Sequence, residues 1–82
     1  MKKFGGLLVA FSRPMTLEEL PAGSLFRWSD EHGNQCIAVK SKYRMPNNLI
    51  EAYILGSGEL FWGDAETVEE QSRIIVQPLA MV

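Results

Sequence analysis

One cysteine and one histidine are all that the 82 residues hold of the two side chains most used for metal binding and nucleophilic chemistry. Cys36 has no second thiol to pair with, so no internal disulfide staples the fold, whereas a secreted domain of this size ordinarily carries several. The expected compartment is therefore a reducing one, the cytoplasm. A zinc site needs several Cys, His or carboxylate ligands at ligand spacing, and Cys36 has no such cluster around it. No metal and no cofactor are expected. His32 stands between Glu31 and Gly33 in a stretch that reads as a hairpin tip, where side chains are normally solvated. With no nucleophile and orienting group in view beside it, the chain is not expected to be an enzyme.

Long apolar runs are missing too. The longest near the N-terminus, Leu7-Leu8-Val9-Ala10-Phe11, is far below the roughly 20 residues of a membrane span. Met1-Lys2-Lys3 ahead of it copies the start of a signal peptide, but Ser12-Arg13-Pro14 stands where a small-x-small cleavage site belongs. Neither charge sign dominates: 8 basic against 10 acidic residues leave a net −2, which favours neither phosphate backbones nor anionic lipid. Neither a membrane nor nucleic acid is the expected partner.

What is present describes one folding module. An apolar fraction of 46% with 22% charged residues is that of an ordinary globular chain, and the length admits a single core. Apolar residues come in short runs bounded by Gly, Pro, Asn and Asp, which predicts strands. Residues 7–12 form a first strand ended by Pro14. Thr16 with Glu19 three positions on makes a capping pair, and Pro21 stops that turn. Ser24 to Asp30 and Gln35 to Tyr43 make a hairpin around Gly33-Asn34. Leu49 to Leu55 is the most apolar strand. Glu59 to Gly63 and Arg73 to Gln77 are the last two, the latter closed by Pro78, with one helical turn after Thr67 between them. Ile37, Val39, Ile50, Ile54, Ile74 and Val76 occupy the apolar phase of their strands and form the expected core.

Five short strands with close turns predict an all-β, mainly antiparallel fold: a small, partly closed barrel with one short helical turn. In strand count, meander order and the turn before the last strand, residues 20–79 resemble SH3-like barrels. The expected division is an apolar extension over 1–14, adding a strand, and a single barrel over 15–82. Because the barrel accounts for its own core, residues 7–12 are expected to pair across a two-fold interface of a homodimer, strand addition within the chain being the alternative.

Three features carry functional weight. Trp28, Tyr53, Phe61 and Trp62 are more bulk than so small an interior accepts, so part of this set is expected at the surface as a contact for a protein or peptide partner, against the alternative that it completes the core. Lys40, Lys42 and Arg44 alternate and so share one face of a strand, with Ile37, Val39 and Tyr43 opposite. They serve either as edge protection or as a contact for an acidic partner or nucleic acid. Gly56-Ser57-Gly58 begins like a dinucleotide fingerprint but leads into a strand, so it is a turn. Glu59 and Asp64 bracket that strand as solubilising ends. The leading expectation is a non-enzymatic protein- or peptide-binding module. A nucleic-acid-associated accessory protein and a self-assembling subunit are the alternatives.

Overall fold

The computed structural model describes residues 8–81, and over these the chain is an antiparallel six-stranded sheet with one short helix. The strands are β1 (Leu8–Ala10), β2 (Met15–Thr16), β3 (Leu25–Ser29), β4 (Gln35–Arg44), β5 (Ile50–Ile54) and β6 (Ile75–Met81), with α1 (Val68–Ser72) before the last. Their order is β1-β6-β3-β4-β5, with β2 also on β6, and the sheet does not close. The all-β, mainly antiparallel expectation holds, with the last strand returning beside the first long one after a helical turn, but the sheet has six strands instead of five and is open instead of a partly closed barrel. Among the described residues no helix is long and apolar enough to cross a membrane.

Local chemistry sets the turns. Thr16 and Glu19 form a reciprocal cap: the Glu19 N–H donates to Thr16 Oγ1 at 3.1 Å and the Thr16 N–H to Glu19 Oε1 at 3.1 Å. Thr67 caps α1 by accepting from the Glu70 N–H. In the β3–β4 hairpin, Asp30 Oδ1 accepts from the His32 and Asn34 N–H groups, both at 2.8 Å, while Gly33 supplies φ +87°.

Phe26 and Phe61 meet edge to face at 5.1 Å between ring centroids, with Trp28 against Phe61 at 5.8 Å. Ala38, Ala52, Leu17, Leu20, Ile50, Ile74 and Val76 complete the core cluster. Here the expectation for β4 is corrected. Cys36-Ile37-Ala38-Val39 is apolar in both phases of the strand, and the small residues take the inside because two phenyl rings already fill it. Ala38 is fully buried opposite Phe26, while Ile37 and Val39 point to the other face and stay half-exposed. Ile50, Ile74 and Val76 are buried as expected, and Ile54 only partly.

Two strand ends also differ. Pro78 does not stop β6, which runs on to Met81. The Leu17 N–H donates to the carbonyl of Ile74, just before β6, and backbone groups alternate sides along a strand, so positions 76, 78 and 80 of β6 aim at β2 and β1. Pro78 falls in the gap between those two strands, where no donor is needed. The strand expected over residues 59–63 shrinks to a single bridge, Tyr53 to Leu60. The Ile54 N–H donates to Glu59 O and the Phe61 N–H to Ala52 O. One step on, the Gln71 side chain replaces the strand. Its Oε1 accepts from the Ile50 N–H and its Nε2 donates to the Ile50 and Phe61 carbonyls, each at 2.9 Å. A fully buried primary amide with donor and acceptor both engaged thus continues the ladder on β5.

Candidate functional site

Of the aromatic set expected at the surface, Phe61 is a correction: it is 1% exposed and serves the core. Gly63, at φ +59°, lies two residues after it, and a Cβ there would meet Ile74 Cδ1 at 2.7 Å and Phe61 Cζ at 3.2 Å. Trp28 is half-buried against the same core, Trp62 is half-buried next to Phe61 in sequence, and Tyr53 is half-buried on the opposite sheet face. The four rings therefore do not form one patch.

The basic row is largely spent inside the molecule. Lys40 shares the core phase of β4, and its chain carries the ammonium to three carbonyls of the turn over 17–20: Leu17 O at 2.8 Å, Glu18 O at 3.2 Å and Leu20 O at 2.6 Å. Burial holds its pKa below the usual lysine value, with Glu18 opposing and Arg44 adding to the shift. Arg44 grips Glu18 through Nη2 at 2.5 and 2.6 Å and donates to Asn48 O. A register shift between Lys40 and Arg44 breaks the even alternation on which the row was predicted. Of the three, Lys42 is exposed and has no acidic partner among the described residues, its Nζ 5.4 Å from the Tyr43 ring centre. His32 sits at an exposed tip beside Glu31. Cys36 is half-buried, and burial raises its thiol pKa.

These turn contacts have a pH signature. Glu18 is held below its ordinary 4.5 by Arg44, Glu19 below 4.5 by the Thr16 backbone and hydroxyl, and Asp30 below 3.8 by Asn34 and the hairpin amides. The unfolded chain therefore takes up these protons at higher pH than the folded chain, so their stabilisation is complete above the ordinary values and lost as pH falls through the lowered ones. Urea midpoints should be level between pH 7 and 5.5 and drop progressively below 4.5. A midpoint unchanged at pH 3 would remove these contacts from the stability of the turns.

The sheet face opposite the core is the surface with the least ordinary chemistry. Cross-strand register places Ala10, Leu79, Leu25, Val39 and Tyr53 side by side over five strands. Leu8 and Met81 pair next to that row at one margin, and Ile37 and Leu55, joined by a 2.9 Å backbone hydrogen bond, lie at another. Leu79 is buried yet stands outside the core cluster, packed within this second layer. Leu55 is 50% and Met81 67% exposed. Arg27 and Gln77 interrupt the face, and Gln77 is tied to Ser12 O. An open cavity of about 700 Å³ is lined by Leu8, Ile37 and Leu55 of this face together with Gln35, Gly56 and the core-phase residues Cys36 and Ile54. Tyr53 donates its hydroxyl to the Glu51 carboxylate, which pushes the phenol pKa upward.

Antiparallel sheets with one solvated face alternate apolar and polar residues. This sheet does not, and the signal in the sequence is the double-phase apolar run of Cys36 to Val39. A pattern search for one core reads past it. No protein-family model matches the chain, and neither a curated protein nor a solved structure matches it. The fold and this face therefore define the class: a small, mainly antiparallel β domain with a second apolar layer.

Proposed function

We propose that the chain is a non-enzymatic binding module whose outer sheet face receives an apolar segment of a protein or peptide partner. The observation that supports it is the cross-strand Leu79-Leu25-Val39-Tyr53 row, half-exposed at Leu25, Val39 and Tyr53 and margined by exposed Leu8, Leu55 and Met81. Contiguous apolar surface of this kind is kept out of water in working proteins by a partner. Tyr53 supplies the aromatic contact, with a hydroxyl already anchored on Glu51 so that little rotamer freedom remains to be lost. Binding of nucleic acid through the basic row has less to draw on, because Lys40 and Arg44 are committed to internal carbonyls and to Glu18.

The test is capture from native lysate by three immobilised proteins: the wild type, a Val39→Lys, Tyr53→Lys double variant and Lys42→Gln. Both replaced face positions are half-exposed, so circular dichroism should be unchanged. Partners held by the wild type and Lys42→Gln should be lost from the double variant. Equal retention by all three would contradict the proposal. Salt-sensitive loss confined to Lys42→Gln would favour an anionic partner instead.

A further inference from the structure

The two edges of the sheet are treated differently. The edge of β5 is covered: residues 59–61 lie along it and the Gln71 amide takes up the Ile50 backbone groups. The edge of β1 has no strand beside it among the described residues, and Leu8, Val9 and Ala10 are all exposed. Because β6 aims Ala80 toward β1, Val9 spends its backbone groups on that pairing, and Leu8 and Ala10 present theirs outward. Exposed edges are normally blunted by charge, proline or a bulge. From Leu8 to Ser12 there is none of these.

We infer that β1 pairs antiparallel with β1 of a second copy of this chain, about a two-fold axis through Val9. The spacing is self-complementary: Leu8 of each copy faces Ala10 of the other as a hydrogen-bonded pair, giving four bonds, and the two Val9 residues face each other without them. No charge lies on the strand, so like charges do not meet at the axis. Area sets the strength. A standard interface takes about 800 Å² per partner, roughly a seventh of the 5386 Å² the chain exposes. Three paired residues with the exposed Val9, Phe11 and Met81 side chains around them supply less, which places the pair in the weak, concentration-dependent class. This assembly goes beyond the outer-face proposal and does not depend on it.

Sedimentation equilibrium from about 10 μM to 1 mM tests it. The wild type should pass from monomer to dimer over that range. Ala10→Pro removes an outward N–H that β6 does not use, and Val9→Lys sets two ammonium groups together at the axis. Both should remain monomeric at 1 mM with an unchanged thermal midpoint. Should Ala10→Pro lose its fold, Val9→Lys alone decides. A wild type that stays monomeric at 1 mM, or a dimer that persists in Val9→Lys, would overturn the inference.

Discussion

Replacing Gln71 with leucine should lower stability by about 3 to 9 kcal/mol, on the scale of about 1 to 3 kcal/mol for each of the three buried backbone groups left unpaired. The two side chains are close in volume, so little cavity is made and the loss isolates the hydrogen bonds. Three groups lose their partner at once: the Ile50 N–H, the Ile50 carbonyl and the Phe61 carbonyl. None has a replacement, because residues 59–61 leave β5 before Ile50 is reached. A domain of this length holds about 4 to 12 kcal/mol in total, so the variant should be partly unfolded at room temperature or close to it. The urea midpoint and its slope measure this. A loss below about 1 kcal/mol at unchanged slope would mean that solvent takes over the vacated positions and that the β5 edge does not need the amide.

The second large effect is expected at Phe61. Truncation to alanine should cost about 3 to 5 kcal/mol, the usual range for a buried phenylalanine. Its ring is the shared partner of Phe26 and Trp28, so both edge-to-face contacts go with it. Relaxation is limited because the buried Ala38 and Ala52 of the same cluster carry only a methyl group and cannot swing into the void. The comparison variant is Tyr53→Ala, on the opposite face, which should cost much less stability. Equal and small losses for the two would return Phe61 to the surface set in which its sequence context places it.

That context shows where sequence pattern stops being informative. Turns and caps are legible because their chemistry is local: Thr16 with Glu19, Thr67 with Glu70, and Asp30 with Gly33-Asn34 each act within four residues. Strand positions and the antiparallel meander follow from the same punctuation. The inside of β4 is not legible in this way. Between an Ala38 phase and a Val39 phase the choice is made by volume, and the volume belongs to Phe26 and Phe61 from other strands. Size alone favours Ile37 and Val39 for the core, and tertiary packing reverses it. Gln71 is hidden for the same reason, since its partners Ile50 and Phe61 are 21 and 10 residues away. The Lys40-Lys42-Arg44 row reads as a surface because alternation shows that residues share a face and not which face. Only the contacts with residues 17–20 reveal that Lys40 closes a turn.

The consequence is that the surface with functional promise is made of residues that look like core. Leu25, Val39, Tyr53 and Leu79 come from four strands, and only their register brings them into one row. Loss of the core destroys the fold, whereas change in this row should leave the fold standing and alter what it holds. Peptides selected from a random display library on the folded wild type, then added to the isotopically labelled chain, test that distinction most directly by nuclear magnetic resonance. Amide shifts should concentrate at Leu25, Ile37, Val39, Tyr53 and Leu55 and vanish in the Val39→Lys, Tyr53→Lys variant. Shifts confined to Lys42, Tyr43 and the hairpin tip at His32, unchanged in that variant, would contradict the outer face as the binding surface.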